Sequence, residues 1–167
     1  MSLHSEVRGS GRDLVLLHGW GMNAGIWEAL AQELSRRFRV HAVDLPGHGA
    51  SASCDPYTLA QIAAELAQQM PARCLVCGWS LGGQVALAWA GAVPQQVERL
   101  ALVATTPCFT RRADWPHAME QAVLQDFARA LAGDYDATLG RFLALQTLGD
   151  RQAKQVLLQL KKSLFAR

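Results

Sequence analysis

Gly78-Trp79-Ser80-Leu81-Gly82 sets one serine between two glycines, a spacing that suits nucleophilic catalysis. The apolar run Arg73-Cys74-Leu75-Val76-Cys77 reads as a strand before it, and residues from about Leu81 to Ala90 read as a helix after it. A sharp strand-to-helix turn lifts a hydroxyl out of a sheet, and the glycines allow close backbone approach. Ser80 is the candidate catalytic residue. Its oxyanion would be held by the N–H of Leu81 and by an N–H from the loop His18-Gly19-Trp20-Gly21, where Trp20 is the candidate. His18 reads as a residue that shapes this loop by hydrogen bonding, not as the general base. His48, in the turn Asp44-Leu45-Pro46-Gly47-His48-Gly49-Ala50-Ser51, likewise reads as structural.

Other chemistry finds less support. Cys74 and Cys77 are spaced as Cys-x-x-Cys, but residues three apart on a strand point to opposite faces and cannot chelate one ion. No second Cys/His pair at ligand spacing supports a metal site, so both are expected to be core thiols. No cofactor is expected. With 16 basic against 14 acidic residues, the net charge of +2 gives no ground for a nucleic-acid or anionic-membrane partner. The first residues carry no secretory apolar run and no stretch is long enough to span a membrane, so the expectation is a cytoplasmic protein.

The elements that must position Ser80 alternate along the chain. Leu14-Val15-Leu16-Leu17 and Phe38 to Val43 read as strands, 73–77 and 98–104 as two more, and residues 2–8 as an antiparallel edge strand. Between them, 25–36 has helical spacing, and Thr58 can cap a helix running to about Met70. Apolar strands alternating with helices imply an α/β fold, with a mostly parallel sheet covered on both faces. After Thr106-Pro107 the pattern becomes all helical over 115–132, 134–147 and 150–163, with Asp134 and Asp150 as starts and Gly133 and Gly149 as stops. The expected division is a core over 1–106 and a helical lid over 107–167.

His18-Gly19-Trp20-Gly21-Met22-Asn23, Asp44-Leu45-Pro46-Gly47, Gly78 to Gly83, Pro107-Cys108-Phe109 and Arg141-Phe142-Leu143-Ala144-Leu145-Gln146-Thr147 occur in that order. Together they resemble the BioH family, the pimeloyl-acyl-carrier-protein methyl ester carboxylesterases of biotin synthesis, within the α/β-hydrolase superfamily. The first motifs are shared by many α/β hydrolases, and the segment from Phe142 to Gln146 discriminates. The resemblance implies a serine carboxylesterase that also takes short-chain esters. It implies that Trp20, Ser80, Leu81, Phe142, Leu143, Ala144, Leu145 and Gln146 line the ester pocket. Lid cations, here Arg141 and Lys154 with Arg151, Lys161 and Lys162 nearby, would hold the acidic acyl carrier protein. Ala137 stands where the family can carry a further arginine. A monomer is implied for the full-length enzyme. A carbon–carbon bond hydrolase or general lipase-like esterase on the same scaffold is the alternative, and a module that only binds carrier protein is another.

The resemblance also implies a catalytic aspartate and histidine on two strands that follow the lid. After Ser80 the only histidine is His117, in the lid segment, and the sequence reaches Arg167 within the lid. The expectation is a truncated chain whose C-terminal strands are missing, inert by itself, with strand 98–104 left as an apolar edge.

Overall fold

Strands that are apolar on both sides need cover on both faces; the inner strands obtain it, and the edge strand over Val97–Val103 leaves Leu102 and Val103 exposed. The computed structural model describes residues 2–149 and 151–165, without the side chains of Gln159, Lys162, Ser163 and Phe165. The strands β1 (Ser5–Arg8), β2 (Arg12–Leu17), β3 (Phe38–Val43), β4 (Cys74–Trp79) and β5 (Val97–Val103) form one sheet ordered β1-β3-β2-β4-β5. β1 runs antiparallel to β3, and all other pairings are parallel. The carboxyl ends of the four parallel strands therefore share one edge, the edge at which α/β sheets bind ligands.

Side chains alternate between two cores. Val15, Leu17, Val43 and Val76 pack with Ile62 and Leu66 of α2 (Leu59–Gln69) and Val85 and Trp89 of α3 (Leu81–Ala92). Leu14, Leu16, Val40 and Ala42 pack on the other face with Ala24, Trp27 and Ala31. Cys74 lies in the first core and Cys77 packs against the second, as the strand period requires. Burial raises both thiols, Cys74 to about 12. Among the described residues no cluster of His, Cys, Asp or Glu could hold a metal ion.

Helix starts follow local chemistry. The Thr58 hydroxyl accepts from the N–H of Gln61 at 3.2 Å and opens α2, as its position predicts. The 25–36 expectation needs correcting. Asn23 accepts from the N–H of Gly25 and starts a 3-10 turn over Ala24–Trp27, and only then does α1 (Glu28–Leu34) begin. The change of period shifts the inner face, so that Ala31 is buried and Leu30 is exposed.

Gln96 binds the lower ends of three elements together. Its Oε1 accepts from the Trp89 indole N–H at 2.9 Å, and its Nε2 donates to the carbonyls of Ala67, Met70 and Pro71 at the end of α2. Its own carbonyl accepts from the Cys74 N–H at the start of β4. A helix end needs such partners for its last carbonyls.

The chain divides into two compact units, Met1–Pro107 and Cys108–Arg167. In the second, α4 (Gln121–Gly133), α5 (Tyr135–Gln146) and α6 (Ala153–Phe165) follow one another, with α4 packed on α5 and α5 on α6. Residues 115–120, expected to be helical, instead belong to a loop with bridges Thr110–Met119 and Arg112–Trp115. Pro116 within this stretch disfavours helix at Trp115. Asp134 caps α5 by accepting from Ala137 N–H at 3.0 Å. Asp150, expected to start the last helix, lies outside the described residues.

Gln96→Leu leaves the Trp89 indole N–H and the α2 carbonyls without these partners. It should cost about 2–3 kcal/mol in chemical denaturation; a loss of under about 0.5 kcal/mol would contradict this role.

Candidate functional site

Ser80 stands between β4 and α3 with φ 53° and ψ −116°, a backbone state that an L-residue resists. The turn can be this sharp because α3 starts against the sheet. A Cβ on Gly82 would stand 2.3 Å from the Leu17 carbonyl oxygen, so only glycine lets the helix approach the end of β2. The Ser80 N–H donates to the Val103 carbonyl at 2.9 Å, and the Ser80 carbonyl accepts from the N–H groups of Gly83 and Gln84. Leu81 is the first residue of α3, and its N–H belongs to the set that has no partner within a helix.

The loop after β2 meets Ser80 directly. A Cβ on Gly19 would lie 3.4 Å from the Ser80 Cβ. The Met22 N–H donates to the Gly19 carbonyl at 3.2 Å, and Gly21 has φ 71°. That is a type II turn with Trp20 at its second position. Ser80, Leu81 and the Trp20 turn are thus gathered at the carboxyl edge of the sheet.

His18 is fully buried beneath this turn. One ring nitrogen, Nδ1, donates to the Gly19 carbonyl at 2.8 Å, and the other, Nε2, accepts from the Leu45 N–H at 3.0 Å. Both are committed, so the ring is neutral and has no nitrogen left to take a proton from a serine. Burial is the main reason that its pKa falls from 6.5 to about 4. The Gly19 hydrogen bond and Asp44 oppose that fall, and His48, whose ring centroid is 5.2 Å away, adds to it. His48 is also lowered by burial and donates from Nδ1 to the Pro46 carbonyl. Asp44, buried, ties the loops together. One carboxylate oxygen accepts from Ala24 N–H at 2.6 Å and the other from Ala50 N–H at 2.8 Å. The remaining histidines of this unit are no closer to the task. His41 pairs with Asp13 at 2.6 Å. His4 sits beside Asp44 at the β1 end, about three strand spacings, or ~14 Å, from β4.

In the second unit, the segment expected to line a pocket is divided by its own helix. Residues 142–146 lie on α5, where successive positions turn by about 100° and five of them go all round. Leu143 is fully buried, Phe142 stacks on Phe127 with ring centroids 5.7 Å apart, and Leu145 is 65% exposed. Ala144 and Gln146 are exposed. Arg141 is exposed and donates to Thr138 at 3.0 Å, and Lys154 is exposed on α6.

Residues 103–106, of which the sequence marks 103 and 104 only as a strand end, hold the serine turn in place. Ala104 takes φ 44°, Thr105 donates its hydroxyl to the Ser80 carbonyl at 2.6 Å, and Gln84 donates to the Thr106 carbonyl at 3.0 Å. A polar Gln84 in an otherwise apolar helix was the one available signal.

Residues 14–165 match the alpha/beta hydrolase family. A pimeloyl-[acyl-carrier protein] methyl ester esterase of Nitrosomonas europaea is 52% identical over 98% of this chain and 65% of its own length. The protein of the same name from Chromobacterium violaceum is 45% identical over 99% of this chain and 65% of its own. The chain thus spans about 65% of the length of these relatives. Among solved structures, an esterase from Exiguobacterium antarcticum superposes with a TM-score of 0.86 at 23% identity, over 98% of this chain and 63% of that one. At that identity the likeness is one of fold.

Unfolding returns His18 to its ordinary value near 6.5, so between about 4 and 6.5 the unfolded chain takes up a proton that the folded chain refuses. Its contribution is whole above 6.5 and declines by roughly 3 kcal/mol as pH falls to about 4. Denaturant unfolding measured from pH 7 down to pH ~4.5 should show this decline, with a shallower slope in His18→Asn. Equal slopes in the two proteins would contradict the buried neutral imidazole.

Proposed function

The chain belongs to the alpha/beta hydrolase family, and from that premise we propose that Ser80 is the nucleophile of a serine carboxylesterase. The substrate is the methyl ester of a pimeloyl group carried on acyl carrier protein, a reaction of biotin synthesis in the cytoplasm, and short-chain esters are accepted as well. The observation that carries the nucleophile is the backbone of Ser80, held at φ 53° between a strand and a helix with the Trp20 turn against it. What supports the substrate is the activity for which relatives at 52% and 45% identity are named.

The Ser80 hydroxyl oxygen attacks the ester carbonyl carbon while its proton passes to an imidazole. That imidazole comes from outside the Met1–Pro107 unit, since His18 has both nitrogens committed and His4, His41 and His48 are engaged or distant. The negative oxygen is held by the N–H groups of Trp20 and Leu81. Methanol leaves with the returned proton, and water then attacks the acyl-enzyme and releases the free acid. The second unit serves as the lid. Of residues 142–146 on its helix α5, the exposed Ala144, Leu145 and Gln146 are offered to the acyl chain, while Leu143 is buried and Phe142 meets Phe127, and Arg141 and Lys154 offer charge to the acidic carrier protein. The full-length enzyme works as a monomer.

In the full-length protein, Ser80→Ala should lower kcat on p-nitrophenyl acetate by roughly 10⁴-fold or more. Retained turnover would overturn the nucleophile assignment. Raising NaCl from about 0.05 to about 0.5 M should raise KM for the carrier-borne methyl ester several-fold and leave KM for the free ester alone, since screening acts on the docking charges. Equal salt responses would argue against docking of the carrier by charge.

A further inference from the structure

We propose that Thr105 is a positioning residue of the oxyanion hole. Its hydroxyl, donated to the Ser80 carbonyl, fixes the Ser80–Leu81 peptide plane and so aims the Leu81 N–H. The inference rests on the reading of Ser80 as nucleophile and adds a residue that acts through the backbone rather than on the substrate.

A trans peptide is planar, and its C=O and N–H point in opposite directions. Whatever holds the Ser80 carbonyl therefore sets the direction of the Leu81 N–H. Within the helix that carbonyl meets Gly83 N–H at 3.0 Å, an ordinary length, and Gln84 N–H at a longer 3.3 Å, both from the first turn of α3. The Thr105 hydroxyl meets the same oxygen at 2.6 Å and is its shortest partner. An oxyanion donor is effective when it is aimed before the reaction at the place where charge will develop. Thr105 supplies that aim from a neighbouring strand end.

Thr105 is itself firmly placed. Ala104 before it turns the chain with φ 44°, which is uncommon outside glycine. This turn lets the Val103 carbonyl accept from Ser80 N–H, Thr105 reach the Ser80 carbonyl and the Thr106 carbonyl accept from Gln84. Three points thus grip the elbow from one segment. Gly83 leaves the room, since a Cβ there would lie 2.6 Å from the Thr105 methyl carbon. The other donor is held by the same device. The Gly19 carbonyl, opposite the Trp20 N–H in its peptide, accepts from His18 at 2.8 Å and Met22 at 3.2 Å.

The test compares Thr105→Val, of nearly the same shape without a donor, with Thr105→Ser, which keeps the hydroxyl, both in the full-length protein. Thr105→Val should lower kcat on p-nitrophenyl acetate by about 10-fold to 100-fold, with KM within about twofold. Inhibition by phenylboronic acid, whose serine adduct places an oxygen in the hole, should weaken by the same factor. Thr105→Ser should recover kcat to within about threefold of the unsubstituted enzyme. Should Thr105→Val not fold, Thr105→Cys, with its weak donor, should fall between the serine variant and a tenfold loss. A Thr105→Val enzyme that keeps its kcat while Ser80→Ala is inactive would overturn this inference alone. So would parallel changes in kcat and KM without recovery by serine, which mark a packing role. An active Ser80→Ala enzyme would overturn the nucleophile reading instead.

Discussion

Ser80 occupies a backbone conformation that costs an L-residue about 1–3 kcal/mol and persists only where its surroundings over-determine it. Those surroundings come from three neighbouring chain segments. β2 ends against the first turn of α3, so close that only glycine fits at position 82. The segment after β5 grips the turn through Val103, Thr105 and Thr106. The turn after β2 brings Gly19 close beside the serine, leaving a side chain there little room. A parallel sheet makes this convergence possible, because it brings the ends of β2, β4 and β5 to one edge in the order β2-β4-β5. The strained residue is the meeting point of the architecture.

Beneath the Ser80 and Trp20 turns lies a buried polar layer that ties the loops together. His18 links the Gly19 carbonyl to the Leu45 N–H, and Asp44 links Ala24 to Ala50. The loops after β2 and β3 are thereby fixed to each other, and the peptide that carries the Trp20 N–H has its carbonyl held from below. Such a buried network is effective only when every member is satisfied, and here the neutral imidazole meets that condition by donating with one nitrogen and accepting with the other.

Much of this was legible in the sequence. The apolar run at 14–17, the largely apolar stretches at 38–43 and 73–77 and the helical patterns between them announced a mostly parallel sheet, and Thr58 announced its helix. The opposite destinations of Cys74 and Cys77 followed from the period of a strand. The 3-10 turn at Ala24–Trp27 was hidden, because Ile26, Leu30 and Leu34 keep helical spacing while the Asn23 cap changes the period. The loop at 115–120 was hidden by its helix-compatible composition, although Pro116 argued against it. Thr105 could not be found at all from spacing. Its importance depends on a positive φ at Ala104, and alanine carries no mark of that conformation. The segment 142–146 shows the converse limit. A run that reads as one binding motif is distributed by helical geometry round all sides of α5.

A fold that singles out one hydroxyl leaves it open to covalent capture. The full-length protein is treated with a fluorophosphonate, digested and mapped by mass spectrometry. A single phosphonyl adduct is expected, on the peptide containing Ser80. An adduct on another serine with Ser80 unmodified would contradict it.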